Sequence, residues 1–282
     1  MQVISADAEK LEVLRQSYNI LQFDGEADSA KAQNILQLIN GLSVLETPKV
    51  IARHPANISP EKGHDSIRTA VGYGEQNARQ YIDLRFRPAF HDLLDAPQGY
   101  VDGAAINVFD TRFKWFTGNG SSNLRLESLS LFNVVSLSPM RRWRKPISWM
   151  FDFRFDRTQM SATESVRNFI SRGGAGVSFG QQALIPYALL MGEWQLASSY
   201  DKGYSLLLGL QAGIRYHLKT SQFMLSYEID DAVAGFELDK KITKLQWQYN
   251  LQVNHAVRAM YRRTQYDFFN DEDWTLDYNY YF

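Results

Sequence analysis

Cysteine is absent from the chain. That excludes disulfides, thiolate metal sites and cysteine nucleophiles, and it is compatible with an oxidising compartment. No apolar run reaches about 18 residues, so no transmembrane helix is available. A dominant charge is lacking too: 30 basic residues face 31 acidic ones, for a net charge of -1. Such a balance argues against a nucleic-acid partner. The five histidines have no metal-ligand spacing, so neither a metal nor a cofactor is expected. The opening residues, MQVISADAEK, contain no basic stretch followed by an apolar one, so the chain is expected to carry no export signal of its own.

What the chain has in quantity is aromatic side chains: 15 Tyr, 17 Phe and 6 Trp among 282 residues. Two regions differ in period. From Ala6 to Leu45 apolar groups recur at helical spacing, as in Leu11, Leu14, Tyr18 and Leu21, then Ala32, Ile35, Leu36 and Ile39. This predicts two helical segments broken at Asp24-Gly25, with Gly41 ending the second. A linker with Pro48, Pro55 and Pro60 follows. The expected organisation is a helical segment with its linker over 1–60 and a second domain over 61–282.

Beyond Ser66 the period becomes two. ISWMFDFRFD sets Ile147, Trp149, Phe151, Phe153 and Phe155 against Ser148, Met150, Asp152, Arg154 and Asp156, and YSLLLGLQAGIRYHL repeats the pattern. About 12 such segments of roughly ten residues occur. Those near Phe132 and Leu189 alternate poorly. In the first, the parity switches between Leu126 and Leu129, which predicts a bulge near Ser128.

An alternating strand has a dry face and a wet face. Two solutions fit: a β-sandwich, or a membrane barrel with lipid outside and polar groups within. Segment length favours the barrel, because a membrane-crossing strand needs about 9–11 residues against roughly five or six in soluble sheets. The fold expected is all-β: an up-and-down antiparallel transmembrane barrel with a short N-terminal helical segment. Its wet face carries Arg68, Asp83, Arg85, Arg87, Asp110, Arg112, Lys114, Asp152, Arg154, Asp156, Arg215, Glu228, Arg258 and Arg262, read as lumen charges. In the terminal DWTLDYNYYF, Trp274, Leu276, Tyr278, Tyr280 and Phe282 share the lipid parity and Tyr281 breaks it. The ending is similar to the signal read by the outer-membrane barrel-assembly machinery, a partner during biogenesis. On the side of the termini, Phe90–Gly103 and Ser138–Pro146 are long connections where short turns are usual.

Three stretches, PEKGHDSIRTAVGYG, LRFRPAFHDLLDAPQGYVDGAAI and LESLSLFNVVSLSPMRRWRKPISW, carry a family resemblance. The region from Pro60 to Phe282 resembles the C-terminal barrel of Lnb-type proteins. That resemblance implies a Gram-negative outer membrane, contact with its lipid, and a periplasmic partner domain related to lipoprotein acyl-shuttling enzymes, or a lipoprotein. The family's catalytic domain has no counterpart here, so no catalytic residue carries over.

Other candidates come from the residues themselves. His64 and Ser66 stand at i and i+2, which on a strand would place a base beside a nucleophile on one face. The same spacing resembles the dyad of outer-membrane phospholipase A. The competing assignment is a turn entering the first strand. His91-Asp92 reads as a turn cap. Arg141, Arg142, Arg144 and Lys145 form a basic turn beside Trp143, suited to lipid headgroups or an acidic partner, or simply solvated. Three functions follow: a non-catalytic barrel that anchors or serves a periplasmic partner, a lipid or lipoprotein hydrolase using His64 and Ser66, and a pore with a charged lumen.

Overall fold

The structure, a computed structural model, describes residues 6–23, 29–43, 63–117, 123–141, 144–162, 164–180 and 183–282. The chain divides into two compact units, Met1–Asn57 and Ile58–Phe282. In the first, helix α1 spans Ala6–Phe23 and α2 spans Ala30–Ser43. Leu11 and Leu21 of α1 and Ala32 of α2 are buried. The Ser29 hydroxyl accepts the Ala32 N–H at 3.2 Å and caps α2, satisfying one of the donors a helix start leaves free. Contrary to the sequence expectation, α2 runs past Gly41 to Ser43. A glycine weakens a helix by about 1 kcal/mol without forbidding it. The expected break at Asp24-Gly25 and the proline linker lie outside the described residues. No described helix is long and apolar enough to cross a membrane.

The second unit contains β1 (Arg68–Gln76), β2 (Arg79–Arg87), β3 (Ala89–His91), β4 (Ala104–Phe116), β5 (Asn123–Ser136), β6 (Ser148–Gln159) and β7 (Ser165–Ser178). It continues with β8 (Leu184–Leu196), β9 (Tyr204–His217), β10 (Ser221–Gly235), β11 (Lys240–Gln252), β12 (His255–Tyr266) and β13 (Asn270–Tyr281). Each long strand pairs antiparallel with its sequence neighbours, and β1 pairs with β13 from Arg68↔Tyr281 to Gln76↔Asp273. Twelve strands thus close into a ring, with β3 as a short extra strand on β4. Pro88 separates β2 from β3, since it has no N–H to give a ladder. Closure leaves no unpaired edge, which hydrocarbon would not tolerate.

The outward faces are apolar. In β13 every residue of one parity is exposed and every residue of the other is buried. Trp274, Leu276, Tyr278 and Tyr280 point out, and Asp273, Asp277 and Asn279 point in. Tyr281 follows the same rule: it is a buried, inward-facing aromatic rather than an irregularity. Rings gather toward both ends. Tyr216, Phe223, Trp247 and Tyr249 form a row at 6.5, 6.4 and 6.3 Å near the terminal end, and Tyr73 meets Trp274 at 5.7 Å toward the other. Strands of nine to fifteen residues bearing an apolar belt between aromatic bands make this a membrane-spanning barrel of the outer-membrane type.

Both poorly alternating segments have a physical cause. Arg112 faces Ser128 while Phe113 faces Leu126, so Glu127 is a bulged residue. Glu127 and Ser128 therefore both line the interior. In β8 the inner parity is itself apolar: Ile185, Tyr187, Leu189 and Met191 are buried inside the barrel wall. Alternation is present there but invisible to hydropathy.

Candidate functional site: a charged lumen closed at one end

Inside the barrel, side chains form ion-pair layers. The layer nearest the termini is organised by the β3–β4 connection, 92–103, which turns into the lumen. Asp92 caps this loop, its Oδ1 accepting the N–H groups of Leu94 at 2.8 Å and Asp95 at 3.1 Å. Its Oδ2 accepts from Arg68 at 2.8 Å, Arg87 at 3.3 Å and Arg258 at 2.7 Å. The Asp95 carboxylate takes Arg87 at 2.7 Å, Arg258 at 2.9 Å and the Tyr281 hydroxyl at 2.6 Å. On the far wall, Arg215 donates to the Leu93 carbonyl at 2.8 Å and to Asp102 at 2.5 Å. Leu93 packs with Ala105, Leu137, Ile185, Tyr187, Leu189 and Met191. The loop is thus fastened to β1, β2, β12 and β13 on one side and to β8 and β9 on the other. It crosses the lumen near this end.

Burial alone would raise both loop carboxyls. For Asp92, Arg258, Arg68 and Arg87 outweigh burial and hold it well below the usual carboxylate range. Asp95 is held low in the same way, chiefly by Arg87. Both carboxylates stay ionised, and the latch is electrostatic. Tyr100 adds an aromatic clasp: its ring lies 4.6 Å from His64 and 4.2 Å from His91, and its hydroxyl donates to the His64 carbonyl at 2.8 Å.

A second layer spans the seam where first and last strands meet. Asp83 accepts from Arg85 at 2.7 Å and Arg112 at 2.8 Å. Asp273 accepts from Lys114 at 3.0 Å, Arg112 at 3.3 Å and the Tyr81 hydroxyl. Tyr81 can lie here because Gly74 beside it has no side chain; a Cβ there would sit 2.6 Å from the Tyr81 ring. A third layer covers the opposite wall, where Lys240 pairs with Glu193, Arg172 with Glu228, and Arg154 with Asp152 and Asp156. Glu193, Glu228 and Asp230 bring carboxylate oxygens within 4.8 Å of one another, the one such group among the described residues that could hold a metal. Lys240 and Arg172 already neutralise it. Between the layers lies a cavity of about 380 Å³.

Every lumen charge named from the sequence takes part in an ion pair inside the barrel, Asp110 with Arg68 at 3.3 Å and Arg262 with Asp271 at 3.6 Å among them. Sequence reading missed Asp95, Arg172, Glu193, Lys240 and Asp273. Asp92 was legible as a turn cap but not as the acceptor of three arginines. His64 and Ser66 are not brought together. Residues 63–67 precede β1 and are not extended strand; His64 is buried with Nδ1 on the Asp65 carbonyl at 2.6 Å, whereas Ser66 is exposed. The i, i+2 rule requires a strand, and none is present there. Arg141, Arg144 and Lys145 are exposed beside the terminal end of the barrel, and Arg142 and Trp143 lie outside the described residues.

Residues 57–281 match the family model described as Domain of unknown function (DUF7840). The chain belongs to that family. No curated protein matches it. Among solved structures, similar chains are the NanC porin (7% identity, 76% of this chain and 99% of that chain, TM-score 0.45) and the KdgM porin in complex with disordered oligogalacturonate (10% identity, 76% and 99%, TM-score 0.43). The anion-selective porin from Comamonas acidovorans is similar at 11% identity, over 77% of this chain and 99% of that chain, with a TM-score of 0.38. In this DUF7840 member the barrel interior is lined by ion pairs and crossed near the terminal end by loop 92–103.

Proposed function

We propose that this barrel is an anchor in the Gram-negative outer membrane that serves a periplasmic partner domain acting on lipoprotein or lipid, and that it is not catalytic by itself. The observation that carries this reading is the lumen-crossing loop 92–103, fastened by buried ion pairs to one wall and by Arg215 to the other. A barrel crossed in that way is suited to holding something at the membrane rather than to steady passage of solutes. The resemblance of residues 60–282 to the C-terminal barrel of Lnb-type proteins supplies the nature of the partner. The test is fractionation: removing residues 61–282 from the gene should move the partner domain from the membrane fraction to the soluble periplasm. A partner that remains membrane-bound without the barrel would refute the anchor. The cavity of about 380 Å³ favours one second reading, a gated pore. Planar-bilayer recording separates the two. A silent wild-type barrel fits the anchor, and frequent spontaneous openings fit the pore.

A further inference from the structure

One cation stands apart from the ion-pair layers. Lys244 of β11 lies directly opposite Arg262 of β12, with Ser226 of β10 on its other side. Like charges placed opposite each other across strands are destabilising unless something neutralises them. Among the described residues no carboxylate pairs with the Lys244 ammonium, and Arg262, Arg85 and Arg154 line the same cavity. These guanidiniums come from β12, β2 and β6, so they reach the cavity from different sectors of the wall, and Arg85 and Arg154 also hold Asp83 and Asp277, and Asp152 and Asp156, along it. Their side chains keep 26%, 13% and 21% of their surface accessible. Arg262 is loosely held, with Asp271 at 3.6 Å and no acceptor for its Nε. Eight cationic side chains but six carboxylates line the cavity as a whole.

We propose that Lys244, Arg262, Arg85 and Arg154 form a binding site for a small polyvalent oxyanion of the phosphate or sulfate class. Guanidinium forks match the paired oxygens of such an anion, and an ammonium adds a point charge. Inside a low-dielectric wall these attractions exceed their value in water. A bound oxyanion converts the Lys244–Arg262 repulsion into two attractions. The site is a property of the wall and does not depend on whether the barrel anchors a partner or passes solutes.

Thermal unfolding of the full chain in detergent, followed by tryptophan fluorescence, tests the site. Sodium sulfate is compared with sodium chloride at equal ionic strength, so that screening is the same in both. Sulfate should raise the wild-type midpoint by about 5 °C, and Lys244→Gln should lose most of that rise. Lys244→Glu places the missing negative charge opposite Arg262. It should raise the midpoint in chloride and abolish the response to sulfate. Equal wild-type midpoints in the two salts, or an undiminished sulfate shift in Lys244→Gln, would overturn the proposal. Should Lys244→Glu fail to fold, the Gln variant decides.

Discussion

Replacing Asp92 and Asp95 together by alanine removes the acceptors on which three arginines converge. Arg68, Arg87 and Arg258 keep 2%, 0% and 5% of their side-chain surface accessible, so water cannot take over. Arg68 retains Asp110 at 3.3 Å, but no comparable pair is left to Arg87 among the described residues. Removing one side of a buried ion pair costs about 3–5 kcal/mol, because the surviving charge stays desolvated. The double variant is therefore expected to lose at least that much of the loop's attachment. Arg215 on the Leu93 carbonyl and the Tyr100 hydroxyl on the His64 carbonyl remain, so the loop is expected to loosen on the side of β1, β2 and β12 while staying tethered on the other. The assay pairs planar-bilayer recording with the heat-shift of the folded band on a gel: openings absent from wild type should appear while the folded band persists. A double variant that stays silent and keeps the wild-type unfolding midpoint would refute the latch. The same pairs set a pH dependence. Both carboxyls are depressed in the folded state by Arg258, Arg68 and Arg87. Their contribution is complete above the unfolded value of about 3.9 and is lost as pH falls through the lower folded values. The wild-type lumen should stay closed from neutral pH down to about pH 4 and open only in stronger acid. Opening between about pH 5 and 7 would contradict this assignment.

Two further substitutions probe the seam. Tyr281→Phe removes the 2.6 Å donation to Asp95 but keeps the ring against His64. It should cost about 1.5–3 kcal/mol, measured by urea unfolding in micelles, and leave barrel insertion intact. Gly74→Val would drive a branched side chain into the Tyr81 ring and the Trp274 carbonyl. It should lower the yield of heat-shifted, folded barrel in membranes far more than the same change at Gly203, which has open space around it although its φ of 75° adds local strain.

Sequence alone favoured the barrel class and gave the direction of the side chains wherever the two faces differ in polarity. A period of two over about ten residues can only mean one dry and one wet face, so Trp274, Leu276 and Tyr280 could be assigned to lipid and Asp277 to the lumen from the chain itself. The parity switch that placed a bulge near Ser128 was legible for the same reason, and the pairing register puts the extra residue at Glu127. What sits at one level of the barrel was not, because ion pairs such as Arg258–Asp92 and Lys114–Asp273 join residues more than a hundred positions apart. Register and strand closure alone bring them together. The inward course of loop 92–103 was equally hidden: HDLLDAPQGY reads as an ordinary polar turn, and only closure of β1 on β13 gathers the arginines that draw Asp92 and Asp95 inside. Proximity along the chain suggested His64 and Ser66, and the backbone before β1 set them apart. Local spacing dictates which face a residue takes, whereas the partner it meets on that face is decided by the ring of strands.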